Sequence, residues 1–169
     1  MIKAPSSLQE LRRRIYRKAK SDKAQRFWGI FVHVAKRETL EEAYRIAKRN
    51  GGAPGIDGQE FEDSEATGVA PFLAALREEL LSGHYQPHLN RRVDIPKGNG
   101  KVRTLSIPGS RDRVVPGALK LILEAIFEAD FCPNSYGFRP RRSPHRALAA
   151  VRRRVRRRLS TGIDVDLSR

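Results

Sequence analysis

The stretch RVDIPKGNGKVRTLSIP (residues 92–108) contains two segments with strand character that are separated by a short turn. Residues 92–95 and 101–107 are rich in β-branched and aliphatic residues, and the five residues Pro96-Lys97-Gly98-Asn99-Gly100 between them are typical of a turn. The pattern predicts a β-hairpin with Lys97 and Lys101 at its turn and Arg103 just beyond it. Such cations can contact phosphate oxygens, Arg through a planar fork and Lys as a point charge. A hairpin tip whose cations are simply solvated is the alternative interpretation.

Helical periodicity precedes the hairpin. Apolar residues recur at helical spacing in residues 8–15, 40–47 and 71–81, and a further helix is expected around residues 22–35. The pair Thr39 and Glu42 has the spacing of a capping box. The segment 50–55 is rich in Gly and Pro, so it should end the helix before it.

Two more helices are predicted after the hairpin. Residues 119–126 have the pattern of a buried helix, with Pro116 in its first turn. Ser143 and Pro144 suit the N-cap and the first position of another helix, whose apolar seam is Leu148, Val151 and Val155. Together with the hairpin, these elements predict an α+β fold that is mostly helical.

Residues 163–167, near the end of the sequence, alternate like a strand, with Asp164 and Asp166 on one face. Carboxylates at positions i and i+2 lie roughly 6–7 Å apart on such a face. Hard divalent cations need oxygen ligands of this kind, and two-metal phosphoryl transfer uses them. From these residues alone, the polar face of an edge strand is the favoured interpretation, because two aspartates cannot complete a two-metal site.

The charge of the chain points to a polyanionic partner. The 169 residues include 34 Lys+Arg and 19 Asp+Glu, which gives a net charge of +15. Residues 139–158 contain ten arginines and no acidic residue, and residues 12–20 form a second basic cluster. A charge run is usually a solvated helix face, but here no acidic residues offset the repulsion, so nucleic acid is favoured.

Composition excludes several other classes. No apolar run approaches the roughly 20 residues of a membrane span, and no secretory leader is recognisable, so no membrane partner is expected. One cysteine, Cys132, cannot form an intrachain disulfide, which fits a reducing cytoplasm. Cys132 and Trp28 are expected to be packed. Phe138 lies in Tyr136-Gly137-Phe138-Arg139, where aromatic rings could stack on bases, but composition alone favours a core position.

Several segments, taken in order, resemble the N-terminal part of a group II intron-type reverse transcriptase, or intron maturase. The resemblance covers roughly residues 38–169 and follows the order of the family's motifs. Its segments are GGAPGIDG (51–58), LLSGHYQP (80–87), the hairpin stretch (92–108), RDRVV (111–115), LEAIFE (123–128) and SYGFRP (135–140).

The resemblance implies a right-hand polymerase fold, of which this chain would supply the fingers and the first palm strand. Asp166 matches the first catalytic aspartate, which holds Mg²⁺. Lys97 and Arg103 match the finger cations that grip the triphosphate of the incoming dNTP. The resemblance also implies an RNA template and a DNA primer. The arginines expected to bind RNA are Arg139, Arg141, Arg142, Arg152, Arg153, Arg156 and Arg157.

The predicted organisation is an N-terminal helical extension (1–50), fingers with the hairpin (51–142), and an Arg-rich helix with the first palm strand (143–169). The family's Tyr-x-Asp-Asp motif and thumb would follow Arg169, so we expect these 169 residues alone to bind RNA without polymerising DNA. The alternative is a non-catalytic RNA-binding module that assists intron splicing. A third hypothesis is assembly, in which the unpaired end strand associates with a second copy or with a separate palm chain.

Overall fold

Helices make up most of the chain, and one two-stranded antiparallel hairpin is the sheet found among the described residues, which confirms the predicted α+β class. The structure is a computed structural model that describes residues 6–158, 161–163 and 165. The chain divides into two units, Met1–Ala129 and Asp130–Arg169. In the described ranges no helix has both the length and the apolar character needed to cross a bilayer. The elements are α1 (Ser6–Ser21), α2 (Phe31–Val34), α3 (Arg37–Asn50), α4 (Phe61–Thr67), α5 (Val69–Ser82), β1 (Arg91–Pro96), β2 (Val102–Ile107), α6 (Ser110–Asp130) and α7 (Pro144–Arg156).

Helix α1 has the predicted apolar stripe, with Leu8 and Ile15 buried in the core of the first unit. The prediction of a helix around residues 22–35 is wrong, because only the four-residue helix α2 (Phe31–Val34) forms there. The Asp22 carboxylate accepts a hydrogen bond from the Ala24 amide at 2.9 Å, which turns the chain away from a helix. Trp28, expected to pack inside, is 85% exposed.

Helix α3 begins at Arg37, three residues before the predicted start, so the prediction of a capping box at Thr39 and Glu42 is wrong. Thr39 is buried inside the helix, and its hydroxyl donates to the His33 carbonyl at 2.8 Å. The end of the helix at Asn50 is as predicted. Gly51 follows with φ 62°, a backbone conformation that glycine adopts without steric cost.

A helix that the sequence pattern did not reveal, α4, precedes α5. Its first turn is held by Asp63, whose carboxylate accepts a hydrogen bond from the Glu60 amide at 2.8 Å. Phe61, the first residue of α4, packs edge-to-face on Tyr44 with ring centroids 5.3 Å apart. The predicted inward side of α5 is confirmed, with Leu73, Leu76 and Leu80 all buried.

Helix α6 is longer than predicted and starts at Ser110, so Pro116 is an interior residue and not a first-turn residue. Proline has no amide hydrogen to donate to the carbonyl of Asp112 one turn earlier. The helix still continues because its apolar side is packed in the core of the first unit. The fully buried side chains there include Val114, Ala118 and Ile122.

Helix α7 in the second unit starts as predicted, with the Ser143 hydroxyl accepting a hydrogen bond from the Arg146 amide at 3.3 Å. The three apolar residues of the predicted seam do not form a buried surface. Leu148 is 67% exposed, and Val151 and Val155 are exposed as well. Ala150, on another side of the helix, is the buried residue of α7.

Candidate nucleic-acid interface

The hairpin turn is built from the residues that the sequence assigned to it. The Lys97 amide donates to the Lys101 carbonyl at 2.6 Å, so the strand pairing extends one residue beyond β1 and β2. This leaves a three-residue turn, Gly98–Gly100, in which Gly100 has φ 70°. A three-residue hairpin loop commonly ends in a left-handed residue, which glycine supplies best.

Lys97, Lys101 and Arg103 lie at the turn end of one face of the hairpin, which we call the cationic face, and Arg91 lies at the far end of the same face. Arg103 lies opposite Ile95 in the register, and side chains two residues apart along a strand share a face. Lys97 and Lys101 pair with each other across the turn. Lys97 is two residues after Ile95 and Lys101 is two residues before Arg103, so both lysines lie on the face that carries Arg103. All three residues are exposed. The structure thus places the three cations that the sequence assigned to the hairpin tip on one face, and their contact with phosphate stays a prediction.

The two faces of the hairpin differ in charge. Asp94 is the only acidic residue in residues 91–107, and it lies on the face opposite to the cationic face. Its carboxylate accepts a hydrogen bond from the hydroxyl of Thr104 across the ladder at 2.6 Å. The cationic face also carries the half-buried Val93 and Leu105. An anion that approaches this face therefore meets cations without a competing carboxylate on the same face of the hairpin.

The segment that leads into β1 is fixed to α6 by a buried carboxylate. Asp112 is 5% exposed, and it accepts hydrogen bonds from the Tyr85 hydroxyl at 2.6 Å and from the His88 amide at 2.9 Å. The guanidinium of Arg111 lies 5.1 Å from the centre of the Tyr85 ring and forms an ion pair with Glu79. Burial first, and then the hydrogen bond to Asp112, raise the pKa of the Tyr85 phenol well above its ordinary value.

The glycine-rich loop, residues 51–58, is held against the start of α6. The Arg113 guanidinium donates to the carbonyls of Gly51 and Gly52 at 3.4 Å and also to that of Ala53. A Cβ on Gly55 would lie 2.5 Å from the Cα of Gly109, so the two backbones are in direct contact. Sequence reasoning identified the loop but not Arg113 as its support, and it did not identify Asp112 as the residue that holds the segment before β1. The contacts join residues far apart in the chain, which no local pattern encodes.

In the second unit, Arg139 is a structural anchor. It is 9% exposed, and its Nη1 donates to the carbonyls of Cys132 and Ser135, both at 2.8 Å. Its guanidinium also lies 4.8 Å from the ring centre of Phe131. Its predicted contact with RNA is untested and stays a prediction, but these internal contacts occupy its Nη1 donor. Cys132, expected to be buried, is exposed.

The other predicted RNA-binding arginines of the second unit differ in their surroundings. Arg142 is half-buried, and its guanidinium lies 5.5 Å from the ring centre of Tyr136. Arg141 is exposed, and its backbone carbonyl accepts a hydrogen bond from the Arg146 guanidinium at 2.9 Å. The remaining four, at the C-terminal end of α7, are all exposed and sit close enough in sequence to follow a phosphate backbone. They are Arg152, Arg153, Arg156 and Arg157.

The predicted metal ligand, Asp166, and its neighbour Asp164 lie outside the described residues. Within residues 6–158, 161–163 and 165, no three His, Cys, Asp or Glu side chains form a metal-binding group. Ile163 and Val165 of the predicted strand are described and are exposed.

Comparison with known proteins relates the chain to intron-encoded proteins. No family model matches it. It is 44% identical over 147 residues to "Protein YkfC" of Escherichia coli (strain K12), which is 86% of this chain and 38% of that protein. It is 33% identical over 129 residues to "Group II intron-encoded protein LtrA" of Lactococcus lactis subsp. cremoris, 75% of this chain and 21% of LtrA.

A shorter match, 46% identical over 56 residues, relates the chain to "Nuclear intron maturase 1, mitochondrial" of Arabidopsis thaliana. It covers 31% of this chain and 8% of that protein. The chain thus spans about two fifths of YkfC, and the LtrA match covers about a fifth of LtrA.

Proposed function

The chain is homologous to group II intron-encoded proteins and intron maturases, and we propose that it forms the fingers and the first palm strand of a reverse transcriptase of this type. In such an enzyme the 3′-hydroxyl of a DNA primer loses its proton and attacks the α-phosphate of a dNTP that is paired with an RNA template. The new phosphodiester bond forms as the bond to the β-phosphate breaks and pyrophosphate leaves. The observation that carries this proposal is the cationic face, because it presents three cations beside one turn. A triphosphate is the compact polyanion that such an arrangement suits.

The role of the cationic face is to hold the triphosphate of the dNTP. Arg103 would contact two phosphate oxygens through its planar guanidinium, and Lys97 would add a point charge at the turn. Neither side chain acts on the reacting atoms. Their contribution is to orient the α-phosphate and to offset the charge of the triphosphate.

Arg92 provides a matched control for this role, because it lies on the opposite face of the same hairpin, paired with Ser106. Since Arg103 is exposed, its contact with a phosphate is screened by water and is worth about 0.2–1 kcal/mol. We expect Arg103→Ala to weaken the binding of dTTP to the full chain up to about fivefold. Arg92→Ala should leave it unchanged. Equal losses in both variants, measured by titration calorimetry, would refute the assignment of the triphosphate to the cationic face.

Asp166 would hold Mg²⁺ in this proposal, and the metal would offset charge at the reacting phosphate. Because Asp166 lies outside the described residues, no step of the reaction is assigned to it. We expect no nucleotide incorporation by the purified 169-residue protein in a primer-extension assay on an RNA template. Incorporation would show that the chain carries a complete active site.

The second unit supports binding of the RNA itself. Replacing Arg152, Arg153, Arg156 and Arg157 by Ala should weaken binding to single-stranded RNA and make the dependence of log K on log salt concentration shallower by about 0.7 per lost phosphate contact. The control variant, in which the same four arginines are replaced by Lys, retains the charge and should keep the salt dependence of the wild type. An unchanged slope in the alanine variant would exclude these arginines as the RNA contact.

A second candidate function is a non-catalytic RNA-binding module that assists intron splicing. The exposure of all four arginines at the end of α7 favours it, because RNA binding through them requires no metal or nucleotide site. Self-splicing of a group II intron transcript separates the two functions. Faster splicing that depends on these arginines and not on Arg103 would favour the splicing module.

A further inference from the structure

Phe138 has an unusual position for an aromatic side chain. It is fully exposed, and its backbone has φ 53°, the left-handed region that bulky residues rarely adopt. Within the part of the chain that the structure describes, neither burial nor backbone preference explains a phenylalanine at this position, since glycine or asparagine would suit the conformation better. Strained residues whose surroundings hold them in place often belong to functional sites.

The loop that carries Phe138 is held by several contacts. The Arg139 guanidinium ties together the carbonyls of Cys132 and Ser135, each at 2.8 Å, and stacks on Phe131. A turn on each side adds to this, because the Ser135 amide donates to the Cys132 carbonyl at 3.0 Å and the Arg142 amide to the Arg139 carbonyl at 3.3 Å. Phe138 is therefore presented from a preorganised loop, which lowers the entropic cost of binding through it.

The charge around Phe138 selects the class of partner. Residues 131–158 contain ten arginines and no Asp, Glu or Lys. The guanidinium of Arg142 already lies against the ring of Tyr136, 5.5 Å from its centre. Exposed aromatic rings among cations are the combination with which proteins bind single-stranded nucleic acid, the rings stacking on bases and the cations following the backbone.

We propose that Phe138, presented by the loop that Arg139 ties together, stacks on an unpaired base of single-stranded RNA. The inference rests on the proposed function, since it requires the second unit to bind RNA, and it adds a preference for unpaired bases to the electrostatic attraction of the arginines. A duplex has no free base face to offer and would bind through its phosphates only.

The test measures binding of the full chain to three labelled RNA probes by fluorescence anisotropy. The probes are a 12-nucleotide oligouridine, the same oligomer with abasic sites throughout, and a 12-base-pair duplex. We expect Phe138→Ala to weaken binding to the oligouridine about fivefold or more and to leave the abasic oligomer and the duplex unchanged. Phe138→Trp should restore binding. Leu148→Ala, which removes another exposed apolar side chain from the same unit, is the matched control and should have no effect.

A second variant separates stacking from folding. Phe138→Asn suits a positive φ, so it should unfold no more readily than the wild type while losing oligouridine affinity to the same extent as Phe138→Ala. In a Trp28→Phe background, the fluorescence of Phe138→Trp should be quenched by oligouridine and not by inorganic polyphosphate.

Three outcomes would overturn the inference. If the wild type binds oligouridine and the abasic oligomer equally, and Phe138→Ala changes neither, RNA binding stands but the stacking contact does not. If Phe138→Ala changes the oligomeric state by light scattering while oligouridine affinity stays the same, the ring belongs to a protein contact. If the wild type binds none of the probes, the proposed RNA-binding function fails together with this inference.

Discussion

The contact between Tyr85 and Asp112 determines where the chain enters the hairpin, and a double-mutant cycle can measure it. The Asp112 carboxylate is 5% exposed and accepts two hydrogen bonds, from the Tyr85 hydroxyl at 2.6 Å and from the His88 amide at 2.9 Å. Tyr85→Phe removes one bond and leaves the other. Asp112→Asn keeps the size of the side chain but replaces one acceptor oxygen by an amide group that donates.

A hydrogen bond to a charged group contributes about 1.5–3 kcal/mol to stability. Because Tyr85 is half-buried, we expect the lower end of this range, about 1.5 kcal/mol, for Tyr85→Phe. Asp112→Asn affects both bonds and places a donor against a donor, so the expected loss is about 2–4 kcal/mol. The double variant should lose less than the sum of the single losses, with a coupling of about 1–2 kcal/mol. Urea unfolding at pH 7 measures all four free energies.

The same contact predicts a pH dependence at alkaline pH. Burial and the hydrogen bond to Asp112 raise the pKa of Tyr85 above its ordinary value of 10.0, so the unfolded chain loses this proton at a lower pH than the folded chain. The stabilisation is therefore complete below pH 10 and falls as the pH rises above 10. Tyr85→Phe should lack this part of the decline. A coupling below about 0.5 kcal/mol, or parallel declines of the wild type and Tyr85→Phe, would refute the contact.

Three further predictions concern the stability of the first unit. Gly55→Ala would place a Cβ 2.5 Å from the Cα of Gly109, and we expect it to lower the free energy of unfolding by about 1–3 kcal/mol, whereas Gly98→Ala, with open space around it, should cost less than about 1 kcal/mol. Burial and the nearby Lys36 and Arg14 lower the pKa of His33, so stability should decline as the pH falls below the ordinary value of 6.5, and His33→Asn should remove that decline in urea unfolding. Leu76→Ala should cost about 2–5 kcal/mol by the same measurement, since the side chain is 2% exposed and its removal leaves a cavity.

The elements that sequence analysis predicted correctly are those whose signals are local. The hairpin turn is encoded by Gly98 and Gly100, and the start of α7 by Ser143 and Pro144, because each residue acts on its own backbone. The apolar stripe of α5 is equally local, since its residues recur every three or four positions. In all three cases the segment needs no distant partner to reveal its conformation.

The errors arise where distant contacts decide. Asp112 and Tyr85 are 27 residues apart, and neither shows in its own segment that the other is its partner. Burial is also a property of the whole fold, so Phe138 and Trp28 were assigned to the core by residue type and are exposed. Pro116 was placed in a first turn because proline favours that position. Tertiary packing of α6 overrides this preference.

The positive charge of the chain has two different uses, and this bears on how RNA binding should be interpreted. Arg113 and Arg139 donate to backbone carbonyls, which fixes one loop in each unit. Such an arginine contributes to the net charge of +15 and to the shape of a loop, while its bonded donors are engaged within the protein. The arginines at the end of α7 are exposed. Replacing one of them should change the salt dependence of RNA binding and not the stability, whereas replacing Arg139 should change the stability first. Measuring both quantities for each variant therefore separates the cations that shape the surface from those that contact RNA.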